Sequence, residues 1–253
     1  MIKFNIRSTK PLTMKKSLFT ALVLFAAIPL AAQFSVGAFY NYHHGLSDYG
    51  ENLGASPQGV SIFAQYSCSE SPLSLGIEIG QSTYNQRNYG YTFRDDHWGL
   101  VTTDVKQRES ITQLNLVARY ALIKNAALEP YAEGKVGIVT FATTRCISDG
   151  RSVDSGEEVM DSRDIYDQLS PVEHHSTSFR AGIGLGTVVN LKRLLCETVK
   201  DYGFELKLDM GVTYYLGTNS VYSGGSNEVN QPVAHRSMVN DLNWRMGILL
   251  GFD

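Results

Sequence analysis

The sequence predicts an all-β protein: an eight-stranded antiparallel up-and-down transmembrane β-barrel, preceded by a cleavable signal peptide. Three observations predict it. Apolar residues recur at every second position in eight segments, the connections between those segments alternate short and long, and an export signal stands near the N-terminus. The last segment is the clearest. Leu242, Trp244, Met246, Ile248, Leu250 and Phe252 alternate with Asn243, Arg245, Gly247, Leu249 and Gly251. A period of two places these sets on opposite faces of a strand. One face is wholly apolar; the other is mostly small or polar, as for a strand with lipid outside and a filled polar lumen inside.

The N-terminal element comes first. Lys15 and Lys16 precede an uncharged apolar run, Leu18 to Leu30, followed by Ala31, Ala32 and Gln33. That run is too short for a membrane-spanning helix, which needs about 20 residues, and reads as a signal peptide cleaved after Ala32. Met14 reads as the natural start, with residues 1–13 an upstream extension. The expected domains are therefore residues 1–32, extension and signal peptide, and residues 33–253, the barrel.

The eight strands are expected at Phe34–His43, Gly59–Ser67, Leu73–Tyr84, Ser110–Leu122, Tyr131–Thr143, Ser176–Val189, Tyr202–Tyr215 and Met238–Phe252. Each is near or above the roughly 9–11 residues a tilted strand needs to cross. Short connections, Cys68–Pro72, Ile123–Pro130 and Asn190–Asp201, would share one end of the barrel. Long ones, His44–Gln58, Asn85–Glu109, Thr144–His175 and Leu216–Ser237, would share the other. Short periplasmic turns and long outer loops are the outer-membrane pattern.

Composition supports a membrane barrel over a soluble one. The chain has 253 residues, a net charge of −3 and 19% charged residues, and its pI near 6.1 gives no basis for a nucleic-acid role. A soluble barrel would crowd its outer face with Lys and Glu. Here the polar phase carries Glu78, Arg119, Glu133, Lys135, Arg180, Glu205, Lys207, Asp209 and Arg245 among many Gly, Ser and Asn. Four acids against five bases, diluted by glycine, suit the narrow inside of an eight-stranded barrel. Tyr40, Tyr84, Tyr120, Tyr131, Tyr202 and Tyr214, near strand ends, read as interfacial girdles. Cys68 and Cys196 fall in turns on one side and Cys146 on the other; all three read as unpaired thiols, with a Cys68–Cys196 bridge as the alternative.

Three stretches carry a family resemblance: the A-A-Q signal end, R-Y-A-L-I-K-N-A-A-L-E-P-Y-A-E-G-K-V-G (Arg119–Gly137), and F-R-A-G-I-G-L-G (Phe179–Gly186) followed by Y-G-F-E-L-K-L-D-M-G-V-T-Y-Y. The chain resembles the eight-stranded outer-membrane β-barrel families of Gram-negative bacteria, the OmpA/OmpX-like and PorT-like group. A strand start of the type P-Y-x-x-x-G-x-G is frequent in them; here Lys-Val separates Gly134 from Gly137. The resemblance implies the barrel and an outer-membrane location. Those families include structural, adhesive and secretion-associated members, so it does not choose a function.

The lumen charges are expected to pair with one another, because unpaired charges in so narrow a space are costly. The six histidines, His43, His44, His97, His174, His175 and His235, all fall in or beside the long loops, without regular chelating spacing. The third loop carries eight acids against three arginines, but no calcium-loop spacing. The second loop is different: Tyr89, Tyr91, Phe93 and Trp98 stand close together and read as a candidate surface for a glycan or protein. Asp95, Asp96 and His97, or His235 with Ser237, lack the geometry a base and nucleophile need. No catalytic residue, cofactor or metal is expected.

The expected function is that of a non-enzymatic outer-membrane barrel with a side-chain-plugged lumen and long extracellular loops, in a structural or surface-interaction role. The alternative is a ligand- or partner-binding accessory of a secretion or adhesion assembly, and behind it a lipid-modifying enzyme. Expected partners are outer-membrane lipids, the insertion machinery during assembly, and an extracellular or secretion-complex protein.

Overall fold

Eight strands close into one ring in the computed structural model, which describes residues 32–68, 71–161, 175–194, 204–224 and 233–252. They are β1 (Ala32–Gly45), β2 (Gln58–Cys68), β3 (Leu73–Asp95), β4 (Gly99–Ala121), β5 (Leu128–Ile147), β6 (His175–Asn190), β7 (Phe204–Gly217) and β8 (Asp241–Phe252). Each pairs with its chain neighbours, and β8 returns to β1, with Phe34 opposite Phe252 and Gly45 opposite Asp241. The ring has no open edge within the membrane-crossing part, which lipid would not tolerate. Among the described residues no helix is long and apolar enough to cross a membrane. The strands do the crossing.

The apolar phase faces outward. Val60, Ile62, Leu75, Ile79, Leu116, Ile183, Leu185 and Ile248 are all more than half exposed, an arrangement water would punish and lipid rewards. On β8 the outward run from Leu242 to Phe252 covers about 34 Å of strand, or roughly 26 Å of membrane at a 40° tilt. Its lower rim is a row of outward phenylalanines, Phe204, Phe252 and Phe34, side by side on three strands. Tyr42, Trp244 and Tyr214 stand near the other rim. Tyr40, Tyr120 and Tyr214 face outward as girdle residues should. Tyr84 and Tyr131 do not: both are buried, because the phase of their strands turns them inward.

The connections differ more from expectation. The second long loop does not exist as a loop. β3 and β4 run on together to Asp95 and Gly99, leaving a three-residue turn at the tip of a projecting hairpin. A bulge hides the alternation: Thr83 pairs with Ser110 but Asn85 with Glu109, so Tyr84 is the extra residue and the phase flips. The first loop contains helix α1 (Ser47–Leu53), ended by Gly54 in the left-handed region at φ 70°. In the third, Gly150–Ser152 pairs with Glu158–Met160, and in the fourth, Asn219–Gly224 pairs with Val233–Met238. Helix α2 (Leu191–Leu194) opens the connection after β6.

Several sequence readings lie outside the described residues: the export signal on residues 1–31, the acids Asp164, Asp167 and Glu173, His174, Cys196 and Tyr202. So does the side chain of Cys68. Cys146 is an exposed free thiol.

Candidate functional site

The inward phase builds the interior in layers. Tyr131 starts the lowest charged layer from β5. Its hydroxyl donates to Asp209 Oδ1 at 2.6 Å and accepts from Arg245 Nη2 at 3.0 Å. A Cβ at Gly186 would overlap that hydroxyl, and one at Gly211 would lie 2.7 Å from it, so these glycines are the space the ring occupies. Arg119 donates to Asp209 at 2.9 Å and lays its guanidinium over the Tyr131 ring, 4.1 Å from the centroid.

Glu133 sits at the centre. Arg245 approaches it at 2.5 Å, Lys135 at 3.3 Å and Arg119 at 3.6 Å, while the Thr213 hydroxyl donates to it at 2.7 Å. Lys135 also donates to Glu78 at 2.6 Å. Glu78 then continues a chain of neutral groups: Asn243 donates to Asn41, Asn41 to Ser61, and Ser61 to Glu78. Phe39, Phe63, Val117 and Leu249 fill the space beside the charges. The Arg119 guanidinium also faces the Phe63 ring, 4.9 Å from its centroid.

Arg180 does not join this group. It lies higher, over the Tyr215 ring at 4.0 Å, donating to Gln113 and Asn115 and standing 3.8 Å from Asp241. Asp241 and His43 Nδ1 share a hydrogen bond at 2.6 Å. His43, near the end of β1, is thus buried inside the barrel. Glu205 and Lys207 form their own pair at the turn end, 2.7 Å apart and partly exposed. Besides Glu109, which is buried and accepts from Gln107 at 2.9 Å, the buried strand charges Glu78, Glu133, Asp209 and Asp241 equal Arg119, Lys135, Arg180 and Arg245 in number. This is the condition under which buried ions are tolerated.

Above Arg180 the chemistry changes. Tyr49 and Leu53 of α1 pack down against Tyr84, Ile111, Val139, Phe141, Tyr222 and Val239. Tyr49 meets Tyr222 edge-on at 5.2 Å and Phe141 at 6.1 Å. The fourth-loop ribbon is pinned across the mouth, since Tyr84 donates to the Ser223 carbonyl at 2.9 Å and Gly224 closely approaches the Asn52 backbone. Burial holds the Tyr49 hydroxyl well above its ordinary titration range.

The projecting hairpin carries the aromatic set. Tyr89, Tyr91 and Phe93 share the face that continues the barrel interior, opposite Val105, Thr103 and Val101, and Tyr91 stacks on Phe93 at 5.9 Å. Trp98 lies apart, exposed in the tip turn, whose Asp95 carboxylate accepts from the His97 and Trp98 backbone N–H groups. Asp95 holds a turn, and among the described residues no His, Cys, Asp or Glu group is arranged to hold a metal.

Sequence reasoning missed Asp241, His43, Tyr131 and Tyr215 as interior residues. The phase of the alternation could have found them: each stands an even number of residues from an inward charge on its own strand or from Asn41.

No family model matches the chain, and no curated protein matches it. Solved structures do. The chain is similar to neisserial surface protein A at 13% identity, over 87% of this chain and 96% of that one, with a TM-score of 0.46. A major outer membrane protein from Thermus thermophilus matches at 15% identity, over 88% and 100%, with a TM-score of 0.42. The N-terminal β-barrel domain of Pseudomonas aeruginosa OprF matches at 13%, over 87% and 97%, with a TM-score of 0.37. The fold itself rests on the closed strand ring and its outward apolar wall.

Proposed function

We propose that this outer-membrane-type barrel is a non-enzymatic protein whose lumen is closed by its own side chains and whose loop end serves as a structural or interacting surface. The reading is supported by the side chains stacked inside the ring: the ion cluster centred on Glu133, Arg180 above it, and the Tyr49–Phe141–Tyr222 cap above that. An eight-stranded ring is just wide enough for side chains to fill.

The interacting role is supported by the projecting hairpin, which extends β3 and β4 to 23 residues each, about twice the length needed to cross. A rigid ribbon held beyond the membrane presents side chains at little ordering cost. The experiment is replacement of residues 86–108 by a two-residue turn, with surface display verified by protease shaving of intact cells. Loss of cell attachment to a surface or partner supports the interacting role. Unchanged attachment leaves the structural role alone standing.

A further inference from the structure

The projecting hairpin has one covered edge and one open edge. On the β4 side, Val101 and Thr102 pair with Ser152 and Arg151. On the β3 side, β2 ends opposite Thr83, and above that point no described strand other than β4 pairs with β3. The carbonyls of Leu100 and Asp104 accept from the Val153 and Ser148 N–H groups on the far side of β4. Even-numbered β4 residues thus aim their backbone groups away from β3, and the odd-numbered Val101, Thr103 and Val105 bond to Phe93, Tyr91 and Tyr89. The N–H and C=O groups of Asn88, Gly90, Thr92 and Arg94 therefore point out of the sheet, with no described strand beside them. Such an edge is a template for another strand unless Pro, Lys or a bulge blunts it, and Asn88–Arg94 has none of these.

The same stretch is complementary to itself. Laid antiparallel to a second copy with Tyr91 on the two-fold axis, Gly90 exchanges backbone hydrogen bonds with Thr92, and Asn88 with Arg94. On the face that continues the barrel interior, Tyr91 then meets Tyr91, Tyr89 meets Phe93, and Arg87 meets Asp95. Opposite charges flank an aromatic centre, and both kinds of cross-strand pair are favourable. Sliding the copies by one residue would set Gly90 opposite an odd-numbered residue whose backbone is already bonded to β4. Copies in one membrane run β3 in the same direction, so only copies facing each other from two membranes can pair this way.

We propose that this edge pairs antiparallel with the same edge of a second copy held in an apposed membrane, so that the hairpin joins two membranes carrying the protein. The proposal rests on the hairpin's interacting role and names its partner. Backbone pairing supplies the attraction, and the Tyr89–Phe93 and Arg87–Asp95 pairs set the register.

The test reconstitutes the full mature chain into two populations of phosphatidylcholine vesicles carrying different dyes, with folding verified by the heat-modifiable gel shift. Mixed clusters holding both dyes are expected, and none when one population lacks the protein. Thr92→Pro removes an N–H that β4 does not use, once on each copy, and should cut clustering about tenfold or more. With Cys68→Ser, Cys146→Ser and Cys196→Ser in place, Tyr91→Cys should form a disulfide between the populations. Asn88→Cys, which would lie opposite Arg94 rather than its own counterpart, should not. Vesicles that stay apart, clustering with protein-free vesicles, clustering unaltered by Thr92→Pro, or cross-linking of Asn88→Cys as fast as of Tyr91→Cys would overturn the proposal. Hairpin-dependent attachment of cells without vesicle clustering would overturn this partner and leave the interacting role standing.

Discussion

The middle of the barrel interior and its loop-end cap fill the same ring with opposite chemistry. The middle is ionic. Glu133, Glu78 and Asp209 are each held by at least one cation within 3.5 Å, and every participant comes from a ring strand. The cap is apolar and aromatic, and half of it comes from loops: Tyr49 and Leu53 from α1, Tyr222 from the fourth-loop ribbon, Val239 from the approach to β8. The ionic part is the one that must form for the ring to close at all. Ions buried inside a ring are costly until all partners arrive, so the middle is tied to barrel closure. An aromatic cluster built partly on loops can open while the ring stays intact.

The largest effect that would break this contrast is expected at Glu133. Glu133→Ala leaves Arg245, Lys135 and Arg119 short of a counter-ion, a loss of about 3–5 kcal/mol. Urea titration of the refolded protein, read by the heat-modifiable gel shift, should show the folded fraction falling at much lower denaturant. A variant as stable as the parent would mean that the ionic middle does not govern closure.

Next in size is the cap. Tyr222→Ala removes the ring that touches both Tyr49 and Phe141, a change worth about 3–5 kcal/mol in a well-packed core. Here the loss should fall on the loops. Amide exchange and proteolysis should speed up within 46–57, 218–224 and 233–240 while the urea midpoint of the ring shifts little. A ring destabilised as strongly as by Glu133→Ala would erase the distinction.

How far this contrast is readable in the sequence differs between the two regions. The inward phase of each strand is legible, because Arg245 stands among Asn243 and Gly247 while its neighbours are Trp244 and Met246. Asp241 and His43 are harder to place inside, since both sit at strand ends beside turn-like residues. Tyr84 keeps the inward phase of Glu78, but it is also the bulge residue, and one inserted position reverses every face beyond it. That same reversal makes half of a 23-residue strand look like a loop. Tyr49 and Leu53 do carry a signal, four residues apart on one helical face, but a seven-residue helix is too short for periodicity to establish. What it packs against depends on a ribbon far along the chain, at Tyr222, which no local pattern contains.

The smallest expected effect is alkaline. The folded Tyr49 hydroxyl titrates well above the unfolded value near 10. Its contribution is therefore complete below that pH and is lost as pH rises through and beyond it. Difference absorbance of tyrosinate in the parent against Tyr49→Phe should show one group resisting ionisation, and with rising pH the cap should open to exchange earlier in the parent. Identical titrations would remove Tyr49 from the cap.

An interior filled by side chains from the ionic middle to the aromatic cap leaves no path for ions through the ring. Single-protein conductance in planar bilayers tests it most directly, on the parent and on Tyr222→Ala. A closed interior predicts no stable, large current steps from either, because opening the cap still leaves the Glu133 layer across the ring. Stable, large steps from the parent protein would contradict it.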